Sequence, residues 1–233
     1  MADDGSERAA LAARLAGGAA LSWVLTGDSI THGMAHTLGA RSYPEHLHEL
    51  VRTDLGRTRD AFINTGVAGH QLGHILDDWE HRIARWRPDI VLLMIGTNDA
   101  MIRDGLPFVE PDGFAASLDG FVRRVRMLGA TPILQTPPAV DAVNAPGRDR
   151  LPAFVSAVRD AAVRHDVILV DQHARFTELG AGRAAWGLLA DPVHPNAAGH
   201  AVIAREIAAV LGIEPARSRV LGMLDALIDA ASG

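Results

Sequence analysis

The 233-residue chain contains no cysteine and no lysine. Without a thiol there can be no cysteine nucleophile, disulfide, iron–sulfur cluster or thiolate zinc site. Without lysine there is no Schiff-base chemistry and no phosphate-loop lysine, and the G-x-x-x-x-G-K-[ST] pattern is absent. All side-chain cations other than histidine are therefore arginines, 22 of them. No run approaches 18 uninterrupted apolar residues, so no membrane-spanning helix is expected. The N-terminus, MADDGSERAALAARLAGGAALSWVL, opens acidic and lacks the basic start of a signal peptide. A cytoplasmic location is the resulting expectation. A net charge of −6 works against a nucleic-acid partner or an anionic membrane surface.

An apolar share of 48% and a charged share of 21% are those of a soluble globular chain. The length suits one domain spanning 1–233, with a core over about 21–213 and an amphipathic C-terminal helix within 214–233. Nearly continuous Val/Ile/Leu runs mark five strands: Trp23–Leu25, Ala61–Asn64, Ile90–Ile95, Ile133–Gln135 and Val167–Val170. Between them, apolar residues recur at helical spacing: Leu47 to Leu55, Leu72 to Trp86, Phe114 to Val125 and Leu151 to Val158. This alternation predicts an α/β fold, a three-layer α/β/α sandwich around a doubly wound parallel sheet of about five strands. Such sheets carry ligands beyond the carboxyl ends of their strands, so the polar residues that follow each strand hold the chemistry.

Four such stretches stand out. The first strand runs into Gly27-Asp28-Ser29, the second into Asn64-Thr65-Gly66-Val67-Ala68-Gly69-His70, and the third into Gly96-Thr97-Asn98-Asp99. Asp191-Pro192-Val193-His194-Pro195-Asn196 precedes a helix marked by Ile203, Ile207, Val210 and Leu211. Serine attacks only when a base takes its proton; His194 can be that base, and Asp191 can hold its tautomer. Acyl transfer also needs donors for the oxyanion, which the N–H groups of Ser29 and Gly69 and the Asn98 amide can supply. Gly66 lies in the same loop as Gly69; the spacing from Asn64 favours Gly69.

Other readings of these residues are structural. Ser29 alone reads as a helix N-cap, Asp28 as a carboxylate bonded to backbone N–H groups, and Asp99 as an Asx residue steadying the Asn98 loop. The 11 histidines include the pairs His32/His36, His46/His48 and His70/His74. With no H-E-x-x-H pattern, and with these pairs expected in loops or on exposed helix faces, no metal site is expected. His32 and His70 flank the expected pocket as substrate contacts. Met101, Ile102, Leu106 and Phe108 wall an acyl pocket or pack in the core. The loop Pro137–Pro152, with Arg148, forms an opposite wall, and Trp186 is a ring platform or a core cap. The C-terminal stripe from Val220 to Ala231 folds back on the domain or forms a homodimer.

In order and context, GDSIT, the Asn64-to-Gly69 stretch, GTND and DPVHP resemble the four motif blocks of the SGNH (GDSL-type) hydrolases. The resemblance covers about Trp23 to Leu211. It implies a flavodoxin-like sheet, esterase or lipase-type activity and no required cofactor. It also implies Ser29 as nucleophile, Gly69 and Asn98 in the oxyanion hole, and Asp191 with His194 as orienter and base. A small domain without a lid-like insertion favours short-chain, acetyl esters, with a sugar-linked acetyl group as the family analogy. Acyl transfer and lysophospholipase or thioesterase chemistry would use the same residues, and a non-catalytic ligand-binding module would have lost some of them.

Overall fold

A computed structural model describes residues 7–180 and 187–232. Five strands form one parallel sheet among the described residues: β1 Ser22–Gly27, β2 Ala61–Asn64, β3 Ile90–Met94, β4 Thr131–Gln135 and β5 Ile168–Val170. Their spatial order is β2-β1-β3-β4-β5. The winding direction therefore reverses between β1 and β3, which opens a crevice beyond their carboxyl ends.

Ten α-helical segments accompany the sheet among the described residues. In chain order they are α1 Glu7–Ala16, α2 Ser29–His32, α3 Tyr43–Thr53, α4 Leu72–Asp77 and α5 Trp79–Arg82. The others are α6 Pro111–Met127, α7 Leu151–Arg164, α8 Gln172–Leu179, α9 Ala197–Val210 and α10 Arg219–Ser232. Successive strand side chains point to opposite faces, so each strand feeds two apolar layers. Trp23, Leu25, Ile90, Leu92 and Met94 join the layer under α3 and α9, with Tyr43, Leu47, Ile203 and Ile207. Val24, Val91, Leu93 and Ile95 join the opposite layer with Leu72, Phe114, Phe121 and Phe154. Helix α10 adds Val220, Leu221, Leu224 and Ile228 to the first layer.

Several boundaries differ from the sequence reading. The apolar run marked β4 from Ile133, but the strand begins two residues earlier at Thr131, whose N–H reaches Asp89 O at 2.8 Å. The stripe Leu72–Trp86 reads as one helix but breaks at Asp78 (φ −100°, ψ 34°) into α4, α5 and a 3₁₀ turn at Ala84–Trp86. The break sets Trp79 edge-on to Phe121, with ring centroids 5.7 Å apart. It also turns Arg82 inward, where it donates to Thr26 Oγ1 and Gly27 O. Helices α1 and α8 carry no stripe strong enough to read in sequence: α1 buries only Leu11. The segment after Asp99 forms an antiparallel pair, Ile102–Arg103 with Leu106–Pro107. Leu106 and Phe108 there are 70% and 44% exposed, so they do not join the core.

Among the described residues, no helix is long and apolar enough to cross a membrane.

Candidate active site

β1 delivers the chain to the crevice, and Asp28 ends it. The Asp28 carboxylate accepts the Ile30 N–H at 3.0 Å, which turns the backbone into the one-turn helix α2. Ser29 is the first residue of that helix. A first helical N–H has no acceptor four residues back, and the Ser29 N–H meets none elsewhere among the described residues.

His194 and Asp191 come from the turn ahead of α9. Asn196 caps α9 by accepting the Gly199 N–H at 3.1 Å, and Ala190 N–H to His194 O (2.8 Å) closes the turn. Within it, Asp191 Oδ1 accepts the N–H groups of Val193 and His194, each at 2.8 Å. Its Oδ2 lies 2.7 Å from His194 Nδ1, and His194 Nε2 lies 2.9 Å from Ser29 Oγ. A serine, an imidazole and a carboxylate thus form one hydrogen-bonded line. Burial alone would raise the Asp191 pKa, but the two backbone N–H groups and His194 outweigh it and hold the carboxyl below its ordinary value.

Two glycines that the sequence could not fully separate take different places. A Cβ on Gly66 would sit 2.4 Å from the His32 backbone nitrogen, and the Gly66 N–H is spent on Asn64 Oδ1 at 2.9 Å. Gly69 is exposed at φ +78°, a conformation glycine adopts without penalty, and its N–H has no partner among the described residues. Asn98 donates one amide N–H to His70 O at 3.1 Å and has a second to offer. Asp99 accepts the Leu72 N–H at 2.9 Å, tying the Asn98 loop to the start of α4, and burial raises its pKa to about 6.

Ser29, Gly69, Asn98, Asp191 and His194 all line one cleft of about 390 Å³. Met34, His36 and Arg148 line it too. Four of the expected substrate contacts, Asp28, His32, His70 and Met101, are not among its lining residues. Asp28 is 1% exposed beneath the cleft floor, and His32 points to solvent beside α2. His70 is held behind the Gly69 loop with its Nδ1 accepting from Arg82 at 2.9 Å, so only its carbonyl serves the site, by orienting Asn98. Met101 does not reach the cleft wall. Trp186 lies outside the described residues.

The histidine pairs do not all sit in loops or on exposed faces. His46 is 8% exposed, and His36, in a 3₁₀ turn, stacks on His194 with ring centroids 4.6 Å apart and planes at 16°. On its other side His36 Nε2 is 3.2 Å from the Nε2 of fully buried His200. The Tyr43 backbone N–H donates to His200 Nδ1 at 3.1 Å, so the neutral His200 ring carries its proton on Nε2. That proton can only go to His36 Nε2, which leaves His36 protonated on Nδ1. Burial, then the charge of neighbouring histidines, pushes His36 down to about 4 and His200 to about 3. A neutral ring pair therefore backs the His194 imidazole. His200 was legible only as a polar residue six positions after His194, on the apolar side of α9.

A serine–histidine–aspartate line beside free N–H donors, at the switch point of a doubly wound sheet, is the arrangement of serine-type carboxylic ester hydrolases. The chain belongs to the GDSL-like lipase/acylhydrolase family, whose profile matches residues 25–202. It is 30% identical over 210 residues to an acetylxylan esterase of Geobacillus stearothermophilus, covering 83% of this chain and 94% of that one. The crystal structure of Axe2, an acetylxylan esterase from the same organism, superposes with a TM-score of 0.73 at 27% identity over 87% of this chain and 99% of the other. LAE5, an α/β hydrolase from the Lake Arreo metagenome, gives 0.70 at 29% identity over 84% and 97%.

Proposed function

We propose that the protein hydrolyses acetyl and other short-chain esters of carbohydrate alcohols through an acyl-enzyme on Ser29. His194 Nε2 takes the hydroxyl proton as Ser29 Oγ attacks the ester carbonyl, and Asp191 stabilises the imidazolium that forms. The N–H groups of Ser29 and Gly69 and the second Asn98 amide N–H receive the oxyanion. His194 then gives its proton to the departing alcohol, and a water deprotonated by the same nitrogen releases the acid. The observation that carries this reading is the convergence on one cleft of the 2.9 Å Ser29–His194 contact and these unpartnered donors.

Cleft size supports a short acyl group: about 390 Å³ is near the lower end for ligand pockets and must also admit the alcohol. The named activity of the Geobacillus relative, on acetylated xylan, supports the carbohydrate part. Catalytic mutants of Axe2 replace a serine, a histidine and an aspartate, the three residue types aligned here.

The test is hydrolysis of p-nitrophenyl esters from acetyl to palmitoyl, followed by release of acetate from acetylated xylo-oligosaccharides. Activity should peak at acetyl or butyryl and fall by several powers of ten in Ser29→Ala. A peak at long chains would replace this reading with a lipase or lysophospholipase. Activity retained in Ser29→Ala would remove the mechanism.

A further inference from the structure

Arg148 stands apart from the other buried arginines. Arg57 donates to both Asp60 oxygens and to three backbone carbonyls. Arg82 donates to His70, Thr26 and the Gly27 carbonyl. Arg148 is 8% exposed, yet its guanidinium makes no hydrogen bond or ion pair among the described residues, and its buried Nε has no partner. The opposite charge nearest in effect is Asp28, which is not within ion-pair distance; the like charge of Arg103 faces it from the antiparallel pair. Burial raises the Asp28 carboxyl to about 7, so this counter-charge is incomplete at neutral pH.

The backbone presents Arg148 from a fixed base. Gly147 O accepts the Ile102 N–H at 2.9 Å, Arg148 N–H reaches Ala145 O, and Leu151 N–H reaches Arg148 O. Burying a guanidinium without acceptors is costly, and proteins avoid it by pairing such groups. Among the described residues Arg148 lines the catalytic cleft, the place where a ligand can bring an acceptor to it.

We infer that Arg148 binds a carboxylate on the alcohol part of the substrate, so that the preferred esters are acetates of acidic alcohols, such as hydroxy acids or uronic-acid sugars. The inference rests on the serine-esterase reading above: an acetyl group has no second acceptor to offer, so the anion belongs to the leaving alcohol. A planar guanidinium pairs with a carboxylate through two parallel N–H···O bonds, which a neutral hydroxyl cannot match.

The experiment compares kcat/KM for 3- and 4-acetoxybenzoate with the corresponding acetoxybenzamides, in wild type and in Arg148→Gln. Selectivity is read within each protein, so a general loss of activity in the variant cancels. The carboxylate-over-amide ratio should fall by roughly 10- to 100-fold in the variant for at least one isomer. In the wild type alone, 3- or 4-hydroxybenzoate should inhibit p-nitrophenyl acetate hydrolysis more strongly than the matching hydroxybenzamide, which needs no variant to fold. An unchanged ratio in Arg148→Gln, or equal inhibition by acid and amide, would overturn the inference. Ser29-dependent hydrolysis of p-nitrophenyl acetate is scored separately, so the esterase reading stands or falls by itself.

Discussion

Replacing Asp191 with asparagine should cost far more than the loss of one charge. The two carboxylate oxygens do different work: Oδ1 accepts two backbone N–H groups at 2.8 Å, and Oδ2 meets His194 Nδ1 at 2.7 Å. In Asp191→Asn the amide oxygen must remain on the two backbone donors, because an NH₂ there would face N–H against N–H. The NH₂ then points at His194 Nδ1 and forces that nitrogen to accept. The imidazole proton moves to Nε2, the atom 2.9 Å from Ser29 Oγ, and the lone pair that should take the serine proton is gone. Inverting the tautomer in this way in a serine triad costs roughly 10⁴ in kcat. The turn keeps its backbone hydrogen bonds, so the melting temperature should shift little. The assay is steady-state hydrolysis of p-nitrophenyl acetate at neutral pH, paired with a thermal melt. A kcat within tenfold of wild type, with the melt unchanged, would refute the tautomer argument and the role given to Asp191.

Other outcomes follow from the same geometry. Gly66→Ala drives a Cβ into the His32 and Thr31 backbones at 2.4 and 2.8 Å and should cost about 3 kcal/mol in chemical denaturation. Gly69→Ala meets no atom within 4 Å and bears only the strain of its φ of +78°, about 1 kcal/mol, so its larger effect should fall on kcat; equal stability losses would contradict this. Asp28, protonated in the fold up to about pH 7 because burial and then the Asp99 charge oppose its ionisation, binds more protons folded than unfolded between its ordinary value of 3.8 and about 7. Its contribution therefore lowers stability as pH rises through that window. Asp28→Asn should flatten that slope in urea titrations at pH 5 and 8, and an unchanged slope would exclude Asp28 as its source. His36→Ala should lower kcat roughly 10- to 100-fold by freeing the His194 ring, while His36→Phe, which keeps a stacked face, recovers most of it; equal kcat values in the two variants would deny the stack a positioning role.

Much of the architecture follows from local pattern. A strand covered on both faces must be apolar at consecutive positions, and β3, Ile90–Met94, is buried throughout. That is why its run, and that of β1, can be read directly. Weaker elements are not so legible. The break at Asp78 depends on Trp79 finding Phe121 and on Arg82 finding Thr26, contacts that span 42 and 56 residues. The outward turn of Leu106 and Phe108 likewise defeats any rule that places apolar side chains inside.

The candidate site divides along the same line. Ser29, Asn98, Asp191 and His194 are visible in the sequence because each sits in a short motif after a strand or before a helix. The two parts of the Asp191–His194 pair share one turn, where spacing of three residues is enough to join them. Which glycine offers its N–H, why His36 must be neutral, and where Arg148 finds its acceptor are not properties of any window. They depend on the His32 backbone approaching Gly66, on the Tyr43 N–H reaching His200 across 157 residues, and on a buried guanidinium that lines the cleft. Motifs record chemistry that neighbouring residues can assemble; tautomers, steric exclusions and unpaired charges belong to groups the chain meets only after it folds.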